Sequence, residues 1–207
     1  MNGPLVCIID DDVSVRRSLM RLFRSAGIQA EEFETARGYL ERAVHSGPSC
    51  LVLDVRMPEI TGLDLQQMLS ESHRQEQVIF ITGNGDIPMC ATAMKAGALD
   101  FLPKPFDDVA LLAAVERAFQ RSGERLSVQA EREDACRRVA TLTSRELQVL
   151  HRVVAGKLNK EIAAELGTAL KTVKVQRGRM MEKMGVLSVA ELVLRAQQAG
   201  VTPVTGS

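Results

Sequence analysis

The stretch Leu5-Val-Cys-Ile-Ile-Asp-Asp-Asp12 indicates the fold of the N-terminal half of the chain. Five consecutive apolar residues without polar alternation are typical of a strand buried on both faces, as in a parallel sheet. Similar runs recur at residues 28–33, 50–55, 78–82 and 98–102, and helix-length segments follow at 13–26, 35–44, 63–70, 87–96 and 107–119. These five strand–helix units predict a doubly wound α/β domain of the (βα)5 type.

Length and composition narrow the class of protein. The chain has 207 residues, of which 45% are hydrophobic and 25% charged, as in an ordinary globular protein of one or two domains. No apolar run approaches the roughly 20 residues of a membrane span, and the N-terminus lacks the pattern of a signal peptide. Its four cysteines have no C-x-x-C spacing, which favours reduced cysteines over a zinc site or a disulfide framework. We therefore expect a cytoplasmic protein with no membrane partner.

The two halves of the chain differ in charge, which predicts two domains with different partners. Residues 1–120 hold 11 Lys or Arg and 17 Asp or Glu, a net charge of −6, whereas residues 121–207 hold 15 and 9, a net charge of +6. We assign residues 1–120 to the α/β domain, 121–140 to a linker, 141–200 to a second domain and 201–207 to a tail. The linker composition is compatible with a helix that continues the preceding segment. The basic half is the candidate for binding nucleic acid.

The second domain carries the signals of four short helices. Thr143 and Glu146 form a capping box, as do Ser188 and Glu191, and Asn159 is predicted to cap the second helix. The third helix is predicted over residues 170–184. Because about three residues separate the second and third helices, we expect a helix-turn-helix in an all-α domain.

Polar residues stand at the carboxyl ends of the predicted strands, where open parallel sheets bind ligands. They are Asp10, Asp11, Asp12, Asp54, Thr82 and Lys104. Converging carboxylates repel one another unless a cation lies between them, and a hard ion with oxygen ligands, Mg²⁺ above all, suits this set. A carboxylate beside such an ion can accept a phosphoryl group.

This chemistry assigns a role to each residue. Asp54 is the phosphoryl acceptor, Asp11 a metal ligand and Asp10 a carboxylate of the metal site or its water shell. Lys104 neutralises the phosphoryl oxygens, and Thr82 senses the added group. Asp12 fits best as a helix N-cap.

The first 120 residues resemble a response-regulator receiver domain. The matching stretches are Ile8-Ile-Asp-Asp-Asp12, Leu53-Asp-Val-Arg-Met-Pro58, Phe80-Ile-Thr-Gly-Asn-Gly-Asp86 and Met94-Lys-Ala-Gly-Ala-Leu-Asp-Phe-Leu-Pro-Lys-Pro-Phe106. The run Gly85-Asp-Ile-Pro-Met89 is similar to the FixJ-type group of the NarL/LuxR class. The resemblance implies a flavodoxin-like strand order 2-1-3-4-5 and phosphotransfer from a sensor histidine kinase. It also implies a Mg²⁺ ligand from the Arg56 carbonyl and a cis bond between Lys104 and Pro105.

The same resemblance implies a switch and a dimer. Thr82 moves toward the phosphoryl group, and Phe101 turns inward and reshapes the receiver surface. The face at which such receivers dimerise includes Met89, Ala93, Lys95 and Phe101. Asn84 departs from the His that is common in this group.

The third helix of the second domain is cationic, with Lys171, Lys174, Arg177, Arg179 and Lys183 against one acid, Glu182. The stretches Leu142-Thr-Ser-Arg-Glu146, Asn159-Lys-Glu-Ile-Ala163 and Thr172-Val-Lys-Val175 resemble a LuxR-type helix-turn-helix. The resemblance implies that Lys174 and Val175 enter the major groove of promoter DNA and that Gly178 occupies a base-contact position. Residues implied to hold the DNA backbone are Lys160, Lys171, Thr172, Arg177 and Lys183. Val189, Leu192 and Val193 of the fourth helix are implied to pair two such domains.

Three functions compete at this point. The first is a response regulator that dimerises on phosphorylation and regulates, mostly activates, transcription with RNA polymerase. The second is a phosphorylation-independent DNA-binding regulator with a vestigial receiver. The third is an aspartyl-phosphate phosphatase, which would need a carboxylate two residues after the nucleophile. Arg56 stands there, so we expect no enzyme beyond self-phosphorylation and slow self-hydrolysis.

Overall fold

The structure is a computed structural model that describes residues 3–72, 74, 76–83 and 87–203. The chain divides into two compact units, Met1–Leu126 and Ser127–Ser207. Asn84, which departs from the family pattern, lies outside the described residues. No helix within the described part of the chain is long and apolar enough to cross a membrane.

The first unit is built on a five-stranded parallel sheet. Its strands are β1 (Leu5–Ile9), β2 (Gln29–Phe33), β3 (Ser49–Asp54), β4 (Gln77–Thr82) and β5 (Asp100–Pro103), in the order β2-β1-β3-β4-β5. The predicted doubly wound fold and its 2-1-3-4-5 strand order are therefore confirmed. The central strands β1, β3 and β4 are buried along their whole length, which explains their unbroken apolar runs.

Helices cover both faces of this sheet. They are α1 (Val13–Ser25), α2 (Ala36–Leu40), α3 (Gly62–Glu71), α4 (Ile87–Lys95) and α5 (Asp108–Ala140). One core packs α1 and α5 against the sheet through residues such as Phe23 and Leu111. The other core packs α2, α3 and α4 through Tyr39, Leu65 and Ala93. Asp12 caps α1 as predicted, because its Oδ1 accepts from the main-chain nitrogen of Ser14 at 2.7 Å.

Helix α5 is much longer than the segment predicted at residues 107–119. It runs for 33 residues to Ala140, so residues 121–140 are helical throughout. The segment has no proline and one glycine, Gly123, so nothing in it breaks the helix. The buried Ser122 hydroxyl accepts from the main-chain nitrogen of Ser49 at 3.0 Å in the first unit. Ala135 is fully buried in the second unit, so both ends of the predicted linker belong to packed structure.

The second unit contains α6 (Ser144–Val154), α7 (Asn159–Glu165), α8 (Leu170–Met184) and α9 (Val189–Gln198). The predicted all-α helix-turn-helix domain is confirmed, and both predicted caps at Thr143 and Ser188 are present. Asn159 does not cap α7, because the cap position is Leu158, which has no side-chain acceptor. The Glu161 carboxylate instead accepts from the Leu158 nitrogen at 2.6 Å. Val149, Leu150, Ile162, Val173, Met180 and Leu192 form the centre of the core.

Candidate functional site

The register of the sheet brings the predicted polar residues to one edge. Ile9 pairs with Leu53 across β1 and β3, so Asp10 follows one strand beside Asp54 on the next. Thr82 pairs with Pro103 across β4 and β5, which places Lys104 beside the end of β4. Parallel strands end at the same edge, and the sequence spacing therefore translates directly into proximity.

Lys104 joins the two buried aspartates of this edge. Its Nζ donates to Asp10 Oδ2 at 2.6 Å and to Asp54 Oδ1 at 2.9 Å. The Asp10 and Asp54 side chains are 1% and 9% exposed, and that of Lys104 is 22% exposed. Two carboxylates thus meet at one cation in a largely dry site, where electrostatic interactions are stronger than in water.

Burial and charge pairing act in opposite directions here. Burial disfavours the charged ammonium of Lys104, but its hydrogen bonds to Asp10 and Asp54 outweigh this and raise the pKa of Lys104. Burial raises the pKa of the Asp10 carboxyl above its ordinary value, against the hydrogen bond from Lys104. Lys104 therefore stays cationic. Its positive charge stabilises the ionised form of the carboxylates that it contacts.

Main-chain groups hold Asp54 and Lys104 in place. Asp54 Oδ2 accepts from the main-chain nitrogen of Arg56 at 2.8 Å, while the Arg56 residue itself is exposed. The main-chain nitrogen of Lys104 donates to the Thr82 carbonyl at 2.7 Å, and the Lys104–Pro105 bond is cis. Thr82 is buried at the end of β4. Asp11 is exposed in the loop that follows β1.

Two residues of this region were not singled out from the sequence. Arg16 Nη1 donates to the main-chain oxygens of Asp10 at 2.8 Å and Asp11 at 3.1 Å. A Cβ at Gly62 would collide with the Asp54 carbonyl, so glycine allows α3 to approach β3. Neither position carries a sequence signal, because an arginine in an amphipathic helix and a glycine at the start of a helix are both common.

The predicted receiver dimer face is only partly on the surface. Lys95 is exposed, and Met89 and Phe101 are half-buried on α4 and β5. Ala93 is instead fully buried beneath this face, since it packs in the core against α3. The Phe101 ring lies 6.2 Å from that of Phe80, centroid to centroid, with a tilt of 46°. Phe101 thus lies between this face and the core around Phe80 on β4.

The helix-turn-helix presents a basic surface. The exposed residues of the predicted DNA-binding set on α8 are Lys171, Thr172, Lys174, Val175 and Gly178. A Cβ at Gly178 would meet no atom within 4 Å, so this position is flat and open. Ala169 occupies the cap position of α8 without a side-chain hydrogen bond. The first turn of α8 therefore keeps its main-chain donors free of side-chain capping.

Two of the residues predicted to contact DNA form hydrogen bonds to other residues of the second unit. Arg177 Nη1 donates to Asn159 Oδ1 at 2.7 Å and so braces α8 against α7. Lys183 Nζ donates to Glu146 Oε2 at 2.6 Å and to the Thr141 carbonyl at 3.2 Å. These contacts give Lys183 a structural partner that the sequence did not reveal. Lys160 is exposed at the start of α7.

The predicted dimer face on α9 also differs from its sequence pattern. Leu192 is fully buried in the core of its own unit, where it packs α9 against the other helices. Val189 is 39% exposed and Val193 is half-buried. The more exposed apolar side chains nearby are Leu187 and Leu194.

A buried aspartate pair on one lysine, at the carboxyl edge of a 2-1-3-4-5 sheet, together with a basic helix-turn-helix unit, defines a two-domain regulator of transcription. Comparisons with known proteins agree with this class. Residues 6–116 match the response regulator receiver domain, and residues 140–196 match the bacterial regulatory proteins of the luxR family. The chain belongs to the response regulators that join a receiver domain to a LuxR-type DNA-binding domain.

Named relatives cover nearly the whole chain. Nodulation protein W of Bradyrhizobium diazoefficiens is 44% identical over 198 residues, which are 96% of this chain and 87% of that protein. Transcriptional regulatory protein FixJ of Azorhizobium caulinodans is 44% identical over 96% of this chain and 94% of its own. Among solved structures, the response regulator StyR has a TM-score of 0.85 at 44% identity, with 95% of this chain and 100% of StyR covered.

Proposed function

We propose that this response regulator takes a phosphoryl group from a sensor histidine kinase onto Asp54, and that the modification controls its binding to promoter DNA. The observation that carries the proposal is the shared contact of Lys104 Nζ with Asp10 and Asp54. An aspartate carboxylate is a competent nucleophile toward phosphorus. The ammonium of Lys104 stands where negative charge on a transferring phosphoryl group needs neutralisation.

The chemistry of the donor atoms suits Mg²⁺, although no three acidic side chains are already gathered around one point in the described part of the chain. Asp10 and Asp54 already converge on one cation, and all the donors are carboxylate or carbonyl oxygens, the ligands that Mg²⁺ prefers. Asp10, Asp11, Asp54 and the main-chain carbonyl of Arg56 would hold the ion. When bound, Mg²⁺ supplies positive charge beside the phosphoryl oxygens. Lys104 complements it from the β5 side and stays protonated because both aspartates accept from it.

Phosphorylation favours dimerisation of the receiver in this proposal. Thr82 lies at the end of β4, adjacent in the sheet to the strand of Asp54, and can bind an added phosphoryl oxygen. Phe101 is half-buried between the core and the α4–β5 surface, so a change of its rotamer alters that surface. Met89, Lys95 and Phe101 are the face that pairs with a second copy, with Ala93 supporting it from beneath.

The second unit binds double-stranded promoter DNA through α8. Lys174 and Val175 reach into the major groove, and Lys160, Lys171 and Thr172 contact phosphates, which fix the register of the protein on the duplex. Arg177 reaches the backbone while it is braced by Asn159. Val189 and Val193 of α9 pair two such units, and the dimer recruits RNA polymerase to activate transcription.

The competing proposal is a regulator that binds DNA regardless of phosphorylation. The intact set of Asp10, Asp54, Thr82 and Lys104 favours the phosphorylated switch, since a vestigial pocket has no need of a buried charge cluster. The chain is not a catalytic enzyme in either case. Its receiver promotes only its own phosphorylation and slow self-hydrolysis, because Arg56 replaces the acid–base carboxylate of a phosphatase.

Transfer of the phosphoryl group to Asp54 is tested by incubating the full chain with a small phosphoryl donor and MgCl₂. Intact-mass measurement is expected to show one added phosphoryl group in the wild type and none in Asp54→Asn. Removal of Mg²⁺ by a chelator is expected to abolish the modification. A wild type that stays unmodified with Mg²⁺ present, or an Asp54→Asn variant modified to the same extent, would contradict the proposal.

A further inference from the structure

Arg16, in the first turn of α1, makes contacts that the proposed phosphotransfer does not explain. One nitrogen, Nη1, donates to the main-chain oxygens of two successive residues, Asp10 at 2.8 Å and Asp11 at 3.1 Å. The side chain is only 11% exposed, and its Nε lies 3.8 Å from Glu32 Oε2 on β2. The guanidinium is therefore held between the loop after β1 and the neighbouring strand.

These two hydrogen bonds restrict the backbone on both sides of Asp11. Because a peptide unit is planar, fixing a carbonyl oxygen fixes the orientation of its whole peptide plane. Arg16 fixes the planes that follow Asp10 and Asp11, and so the direction in which the Asp11 side chain leaves the main chain. Within the described part of the chain, the Asp11 carboxylate makes no hydrogen bond or ion pair that could orient it instead.

The rest of the loop is restrained from the other side. Asp10 Oδ1 accepts from the Asp12 nitrogen at 2.9 Å, and Asp12 Oδ1 accepts from the Ser14 nitrogen at 2.7 Å. Arg16 thus closes a set of bonds around the two aspartates that would hold Mg²⁺. Groups that orient metal ligands from behind commonly affect metal affinity as much as some ligands do.

We propose that Arg16 is a positioning residue for the Mg²⁺ site: it holds the main chain of the loop after β1, so that the Asp11 carboxylate reaches the ion without a rearrangement of that main chain. The inference rests on the proposed function, in which these aspartates are Mg²⁺ ligands. Arginine suits the task better than lysine, because its planar fork donates in fixed directions. A lysine at this position would keep the positive charge but lose the fixed geometry of the two hydrogen bonds, so an Arg16→Lys substitution separates the two effects.

The test compares Arg16→Lys with Arg17→Lys in the full-length protein. Both substitutions keep the charge, but Arg17 is exposed and makes no hydrogen bond or ion pair with any described residue. MgCl₂ is titrated into each unphosphorylated protein, and binding is followed by amide chemical shifts. Arg16→Lys is expected to raise the Mg²⁺ dissociation constant by about tenfold, whereas Arg17→Lys is expected to match the wild type.

A second readout separates positioning from general damage. Phosphorylation of Arg16→Lys by a small phosphoryl donor is expected to be slow at limiting MgCl₂ and to return to the wild-type rate at saturating MgCl₂. Glu32→Gln, which removes only the 3.8 Å ion pair, checks that the carbonyl contacts matter and is expected to bind Mg²⁺ like the wild type.

Several results would overturn the inference. One is an Arg16→Lys variant that binds Mg²⁺ as the wild type does. Another is a phosphorylation deficit that persists at saturating MgCl₂, because this would mean that Arg16 stabilises the fold and does not act on Mg²⁺ binding. A wild type that binds no Mg²⁺ would instead defeat the proposed function itself, and with it this inference. A wild type that binds Mg²⁺ but takes up no phosphoryl group would defeat the proposed function and leave the affinity comparison decisive for Arg16.

Discussion

Individual side chains of this protein carry roles that depend on partners far away in sequence. Lys104 contacts Asp10 across 94 positions of the chain, and the placement of both residues at one edge of the sheet was predicted because each follows a strand. Lys183 contacts Glu146 across 37 positions of the chain, and the spacing of the two residues in the sequence does not predict this contact. The neighbours of a residue at a strand end can be predicted from the strand order. A long side chain on a helix can reach several neighbours, and the packing of the helices decides which of them it contacts.

The difference between exposed and engaged lysines on α8 leads to a prediction about DNA binding. Lys171 is exposed, so Lys171→Ala is expected to weaken binding to a selected duplex and to reduce the slope of log affinity against log salt by about 0.9. Lys183→Ala is expected to leave this slope unchanged, since its ammonium already pairs with Glu146. Binding curves at several salt concentrations provide the measurement. An equal fall in slope for both variants would show that Lys183 leaves Glu146 to bind phosphate.

At the scale of elements, the helices begin and end largely where the sequence indicated. The capping box at Thr143 and the side-chain cap at Ser188 are local signals, as are Gly27 and Gly185, which follow α1 and α8 with positive φ. At Ser188 the predicted box is incomplete, because Glu191 accepts from the Leu187 nitrogen instead. Helix α5 is the main difference. Its continuation past residue 119 is accompanied by the burial of Ser122 and Ala135 against residues distant in sequence, which a short window of sequence does not contain.

The bond between α6 and α8 predicts a pH dependence of stability. The hydrogen bond from Lys183, together with that from the Thr143 nitrogen, lowers the pKa of Glu146 below its ordinary value of 4.5. A carboxyl whose pKa is lower in the folded state stabilises the protein above pH 4.5, and this contribution is lost as the pH falls through the folded-state pKa.

Glu146→Gln isolates this contribution, because glutamine can still accept from the Thr143 nitrogen but does not titrate. Urea unfolding of the full chain, followed by circular dichroism from neutral pH to below pH 4.5, is expected to show a smaller loss of stability on acidification in the variant. The wild type and variant would then converge at low pH. Parallel pH profiles for the two proteins would mean that Glu146 does not contribute.

For the molecule as a whole, the sequence already indicates two units of different charge and different fold. The acidic half forms the sheet with the aspartate pair, and the basic half forms the helix-turn-helix, so charge asymmetry and strand-end chemistry together predicted both units. The surfaces were harder to predict. The family resemblance implied that Ala93 and Leu192 belong to dimer faces, but both side chains are fully buried within their own units, because an apolar residue suits a core position as well as an interface position.

In the proposed function, phosphorylation of Asp54 controls DNA binding, and this control is measured as a change of affinity for a DNA duplex. A duplex is selected from a random pool by the protein treated with phosphoryl donor and MgCl₂, and its dissociation constant is then measured with and without the donor. The wild type is expected to bind at least about fivefold more tightly when phosphorylated, and Asp54→Asn is expected to show no change. Equal affinities for both proteins in every condition would contradict the account and favour a regulator that binds DNA regardless of its receiver.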